Sequence, residues 1–175
     1  MGRLVVGMGE CRATNDPQVV LITYALGSCV GVTMYDSLSA VGGLLHFMLP
    51  NSSLDPELGQ QRPSMFADTG MALLLKRMCA EGAHPGRLVA CIAGAAQILD
   101  DPGIFEIGKR NYLAARQWLS RHGIALEKED VGGSGFRTLR LEIATGRVLL
   151  HELGKPREFQ PAPLRRGGSL RRIVT

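Results

Sequence analysis

A chain of 175 residues, 45% hydrophobic and 21% charged, has the length and composition of one compact domain and excludes a disordered polymer. No apolar run approaches the roughly 18 to 20 residues that a bilayer crossing requires, so membrane insertion is not expected. The net charge of +4 is uneven: Lys155, Arg157, Arg165, Arg166, Arg171 and Arg172 face one acid, Glu158, whereas residues 1–154 carry 14 basic and 15 acidic groups, and so neutral a body argues against nucleic acid as a partner.

Along the chain, Leu4 to Met8, Val19 to Ala25 and Val30 to Tyr35 are short, β-branched and bounded by turn residues, which predicts strands. A fourth strand is expected over Val41 to Leu49, joined to the third through Asp36–Ala40 as a hairpin. The Pro/Gly/Ser-rich stretch from Pro50 to Pro63 is expected to be a loop long enough to cover something. Met71, Leu74, Leu75 and Met78 then repeat at helical spacing between Ser64 and Gly82. Leu88 to Ala93 reads as a buried strand entering the small-residue turn Gly94-Ala95-Ala96, Asn111 to His122 as a second helix stopped by Gly123, and Ile124 to Val131 as a strand. Leu139, Leu141 and Ile143 alternate with polar residues and turn through Ala144–Gly146 into Val148–Leu153, a terminal hairpin. Strands come in runs with two helices between them, so the class is α+β rather than a doubly wound parallel sheet. Residues 1–154 are expected to form the domain, and 155–175, Pro/Gly/Arg-rich and aperiodic, a basic flexible tail.

Cys11, Cys29, Cys79 and Cys91 form no CxxC, and no histidine pair has zinc-site spacing, so neither a metal nor another cofactor is expected. The N-terminal apolar stretch is too short for a signal peptide, and a cytoplasmic protein with reduced thiols is expected. The densest chemical signal is Thr23-Tyr-Ala-Leu-Gly-Ser-Cys29-Val-Gly31, where two glycines flank a cysteine and leave room for a substrate to approach. A nucleophile elbow would need a helix after Cys29, but the sequence continues as a strand, so an α/β-hydrolase is rejected. Symmetric closure of the Asp36–Ala40 hairpin pairs positions whose numbers sum to 77, which puts His46 diagonally beside Cys29 on one face. A base at that place is what a cysteine nucleophile needs. Core packing explains either residue alone; the combination with both glycines is what suggests a pair.

The sequence resembles the CheD family, the chemoreceptor glutamine deamidases of bacterial chemotaxis. The resemblance is carried by Val6-Gly-Met-Gly-Glu10, Leu26-Gly-Ser-Cys29, Tyr35-Asp36, His46-Phe-Met-Leu-Pro50, Phe66-Ala-Asp68, Ile92-Ala-Gly-Ala-Ala96, Ile107-Gly-Lys-Arg-Asn111, Asp130-Val-Gly-Gly133 and Arg137, in order over most of residues 4–150. It implies Cys29 as nucleophile, His46 as acid/base, Thr23 as the orienting third member, and Gly27 and Ser28 against the substrate. It further implies conversion of receptor glutamines to glutamate through a thioester, with ammonia released. The implied partners are the cytoplasmic helices of chemoreceptors, hence a cytoplasmic enzyme near receptor arrays, and a CheC-type phosphatase of CheY. The implied fold is that of the cytotoxic necrotizing factor deamidases: two packed mixed β-sheets with helices on one side. A regulatory binding module with weak or no turnover, acting through such a phosphatase or the receptor, is the alternative.

Overall fold

Apolar residues on both faces of one central sheet force a layered architecture, because each face needs its own cover. A computed structural model describes residues 2–97, 106–152 and 155–160. Its strands are β1 (Gly2–Val5), β2 (Glu10–Thr14), β3 (Val19–Leu26), β4 (Val30–Asp36), β5 (Val41–Phe47), β6 (Val89–Gly94), β7 (Ala125–Val131), β8 (Arg137–Glu142), β9 (Val148–Glu152) and β10 (Lys155–Gln160). Its α-helices are α1 (Pro56–Gln61), α2 (Ala67–Ala80) and α3 (Ile107–Arg121).

One sheet has the order β1-β3-β8-β9-β10 and the other β2-β5-β4-β6-β7. The β1–β3 and β6–β7 pairs are parallel and the rest antiparallel, so both sheets are mixed. Strands β4 and β5 are buried throughout. Their Tyr35 and Leu44 join Leu21, Leu139, Leu141 and Leu150 in a layer between the sheets. Val32, Met34, Leu45 and Phe47 point the other way, onto Met71, Leu74 and Met78 of α2 and Leu119 of α3. The order sheet, sheet, helices is the α+β architecture expected. Two glycines set how closely these layers approach. A Cβ on Gly42 would fall 2.5 Å from Ile143, which follows β8 of the outer sheet, and one on Gly43 would fall 2.7 Å from Leu74 of α2.

The β4–β5 register pairs Asp36 with Val41 and Gly31 with His46, which is the expected sum of 77. Buried Asp36 pins this hairpin, accepting hydrogen bonds from the Arg87 guanidinium and from the backbone N–H groups of His84 and Leu38. Burial alone would raise the Asp36 carboxyl, but these donors hold it well below the usual range.

Several expectations need correction. The first strand ends at Val5 and not Met8, and strand β2 follows a turn in which Glu10 accepts from the Gly7 N–H. Its Arg12 and exposed Glu10 hid an edge strand with one buried face residue, Cys11. The expected loop over 50–63 contains α1, capped by Asp55 accepting from the Leu58 N–H. Helix α3 begins four residues before Asn111 because Gly108, a poor helix former, is required there: a Cβ would sit 2.7 Å from the Ala95 carbonyl. Strand β10 starts at the first residue of the expected tail, pairs with β9, and buries Phe159 between the sheets; residues 161–175 lie outside the described residues. No helix among the described residues is long and apolar enough to cross a membrane.

Candidate active site

The site forms where the chain leaves one sheet for the other. Strand β3 lies in the outer sheet, its ladder with β8 is irregular between Thr23 and Leu26, and residues 27–29 carry the chain across to β4 in the central sheet. At the irregularity Ala25 is in the left-handed region, φ +55°, a conformation that costs about 1 kcal/mol for a residue with a Cβ. Just before this break, Thr23, still in register with Leu139, meets His46 of β5.

Thr23 and His46, 0% and 4% exposed, share a hydrogen bond of 2.8 Å between Thr23 Oγ1 and His46 Nδ1. It spans the two sheets. The other ring nitrogen, Nε2, is buried and has no hydrogen-bond partner among the described residues. His46 is held in place from both sides of its strand, with Glu10 and Gly31 as its ladder neighbours, and its carbonyl accepts from the Gly9 N–H at 2.8 Å. Burial without a counter-charge lowers its pKa to about 4.

Cys29 is half-buried two residues before Gly31, the ladder partner of His46. Among the described residues no hydrogen bond joins it to His46. Its thiol lies 3.9 Å from the sulfur of Met8, which is exposed on the β1–β2 turn. Burial pushes the Cys29 thiol up, and its own backbone N–H, hydrogen-bonded to the sulfur, lowers it by less. At rest the site therefore holds a neutral thiol and a neutral imidazole, not the ion pair familiar from strongly activated cysteines.

The segment carrying Cys29 is fixed through three successive carbonyls. The Gly27 carbonyl accepts from the Ala96 N–H at 2.7 Å, and the Cys29 carbonyl from the Ala95 N–H at 2.8 Å. The Ser28 carbonyl accepts from Asn111 Nδ2 at 3.2 Å, and the same Nδ2 reaches the Met48 carbonyl at 2.9 Å. The fully buried Asn111 thus clamps the cysteine loop to the end of the histidine strand. The 94–96 turn is itself strained, with Ala95 at φ +55°, and it needs Gly94: at φ +113° a Cβ would lie 2.3 Å from the Cys29 carbonyl. Gly27 and Ser28, expected against the substrate, border Cys29 with their carbonyls turned into the protein.

The sequence did not single out Asn111, Met8 or the Ala95 and Ala96 amides for the site. A polar residue on the apolar side of α3 was the available signal for Asn111. The other histidines serve elsewhere: His122 stacks on Trp118 at 3.7 Å, His84 accepts from the Gly86 N–H, and His151 lies beside Arg140. Of the remaining cysteines, Cys91 is buried with its pKa pushed up to about 12, chiefly by desolvation, Cys11 is buried and Cys79 exposed. Among the described residues no three His, Cys, Asp or Glu side chains are grouped to hold a metal ion.

A profile of the family described as CheD chemotactic sensory transduction matches residues 48–152. The chain is similar to the probable chemoreceptor glutamine deamidase CheD of Solibacter usitatus, 48% identical over 169 residues that cover 97% of this chain and 100% of that protein. It is also similar to the probable chemoreceptor glutamine deamidase CheD 1 of Syntrophus aciditrophicus, 44% identical over 89% of this chain and 98% of that protein. Among solved structures, a Bacillus licheniformis hypothetical protein, YfiH, superposes with a TM-score of 0.44 at 18% identity, over 71% of this chain and 51% of that one.

Two measurements check this geometry. Asn111→Asp replaces the donor with oxygens that face two carbonyls, and urea unfolding is expected to show a loss of about 2–3 kcal/mol; unchanged stability would mean that the clamp is not formed. Because His46 binds its proton near pH 4 when folded and near 6.5 when unfolded, the unfolded chain takes up the extra proton between those values. Stability present above pH 6.5 is then lost as pH falls towards 4, by up to about 3 kcal/mol. His46→Gln is expected to show a shallower acid slope than the wild type over that window.

Proposed function

The chain belongs to the CheD family, and from that premise we propose that it is a protein-glutamine deamidase in which Cys29, His46 and Thr23 carry the reaction. The substrate is the carboxamide of glutamine side chains on the cytoplasmic helices of chemoreceptors, and the products are glutamate and ammonia. The observation that carries this reading is the Thr23–His46 hydrogen bond, which leaves Nε2 of a buried neutral imidazole unpartnered on the strand beside Cys29.

Thr23 Oγ1 accepts from Nδ1–H, which fixes the tautomer whose Nε2 lone pair is free to act as a base. As the thiol attacks the carboxamide carbon, its proton moves to Nε2 and the carbonyl oxygen becomes an oxyanion. The backbone N–H of Cys29, already directed at its own sulfur, is beside the developing charge. Collapse of the tetrahedral adduct breaks the C–N bond. The imidazolium returns its proton to the departing nitrogen, and ammonia leaves behind a thioester on Cys29. Water then attacks that thioester, giving its proton to the neutral imidazole. Expulsion of the sulfur, reprotonated by His46, yields the carboxylic acid, which loses its remaining proton to solvent as the glutamate carboxylate. Thr23 is neutral and stabilises the imidazolium less than an aspartate does, which suits a slow regulatory enzyme. The same reading places the protein in the cytoplasm at receptor arrays, with a CheC-type CheY phosphatase as a second partner.

Cys29→Ala is expected to abolish ammonia release from a purified receptor fragment, followed by intact mass as amide-to-acid conversion. The acid limb of kcat/KM should lie well below the ordinary histidine range, near the pKa of about 4 that burial gives His46. Full activity in Cys29→Ala, or an acid limb near 6.5, would contradict the mechanism.

A further inference from the structure

Beside the site, between edge strand β2 and the junction of α1 with α2, runs an open groove of about 340 Å³ whose lining includes Gly9, Glu10, Arg12, Arg62 and Arg77. The groove begins one residue from Met8, the side chain against the Cys29 sulfur. Arg62 lies over Gly9: a Cβ there would be 3.2 Å from its guanidinium nitrogen. Arg77 is anchored at the other end, donating to the Cys11 carbonyl and lying 3.4 Å from the Cys11 sulfur. The single acid of the lining, Glu10, is engaged with the Gly7 N–H at 3.1 Å. Among the described residues none of Arg12, Arg62 and Arg77 forms an ion pair. Three guanidinium groups therefore line one groove in a body whose residues 1–154 are otherwise slightly acidic.

We infer that this groove docks carboxylate side chains of the protein substrate, held on the same helix as the target glutamine. The inference rests on the deamidase reading and deepens it. Guanidinium pairs with carboxylate through parallel hydrogen bonds, and a ligand that starts at Cys29 and continues along β2 must be attached to the glutamine being converted. The three steps from Gly9 to Arg12 span about 10 Å of extended chain. A helix rises about the same distance in seven residues, which return to the same face. Acidic residues about two turns from the target glutamine are therefore placed to meet the arginines. A continuous polyanion such as nucleic acid would also meet the acidic remainder of the body, which a few carboxylates on a helix avoid. Arginines that attract a partner of this kind act mainly on binding, and their effect is screened by salt.

The test titrates a purified chemoreceptor cytoplasmic fragment against wild type, Arg12→Glu, Arg62→Glu, Arg62→Lys and a charge-matched control, Arg121→Glu at the end of α3, with ammonia release read in parallel. Each groove reversal is expected to weaken binding about tenfold at low ionic strength. Arg62→Lys should recover most of that loss, Arg121→Glu should bind as wild type, and the difference should largely vanish at about 0.5 M salt. A receptor fragment with its flanking glutamates replaced by glutamine should bind wild type and Arg62→Glu alike. Equal binding by Arg62→Glu and Arg121→Glu, or a loss that persists with the neutralised fragment, overturns the groove assignment. Absence of ammonia release by wild type, with the binding differences intact, overturns the deamidase reading and leaves the groove standing.

Discussion

The hydrogen bond between Thr23 and His46 is the contact on which the site depends, because its two partners belong to different sheets. It can form only if the sheets pack closely at one end, and the inter-sheet layer of Leu21, Leu44, Leu139 and Leu141 provides that approach, together with the missing Cβ of Gly31, the ladder partner of His46, which would fall 2.8 Å from Leu26. The same packing that orients the imidazole also dries it. Desolvation takes His46 far below the ordinary histidine range and raises the Cys29 thiol. Burial therefore favours the uncharged form of both side chains at neutral pH.

Rigidity around Cys29 comes from backbone contacts more than from its side chain. Ala95, Ala96 and Asn111 engage the carbonyls of Cys29, Gly27 and Ser28, and Asn111 extends that hold to Met48, two residues beyond His46. The two non-glycine residues with positive φ near the site, Ala25 and Ala95, sit one on each side of this assembly. Such strain persists where the surrounding structure over-determines the conformation, as it does here through the bond network and through Gly94, which alone fits against the Cys29 carbonyl.

Much of this was legible in the sequence. The hairpin register was legible because a strand has period two and the Asp36–Ala40 turn fixes it, as the Gly31–His46 pairing shows; Cys29 itself lies in the bend before Val30, outside that ladder. The meeting of Thr23 with His46 was not accessible by parity, since it occurs across the gap between the two sheets. Strand β2 was missed because an edge strand with Glu10 and Arg12 outward shows only one buried residue, Cys11. Helix α3 starts four residues before the expected Asn111, in a turn that holds Gly108, a poor helix former that the structure uses to bring the helix onto Ala95. In each case a tertiary contact outweighed the local signal.

The proposed function separates two tasks. On that reading Cys29, His46 and Thr23 act on an uncharged carboxamide, and the exposed arginines beside β2 are inferred to engage its charged surroundings. The central claim concerns one proton, that of the His46 ring. Nitrogen-15 NMR of the imidazole at neutral pH, assigned by comparison with His46→Gln, reads its position directly. The account predicts a neutral ring protonated on Nδ1, towards Thr23, with a bare Nε2. A ring protonated on Nε2, or an imidazolium at neutral pH, would contradict it.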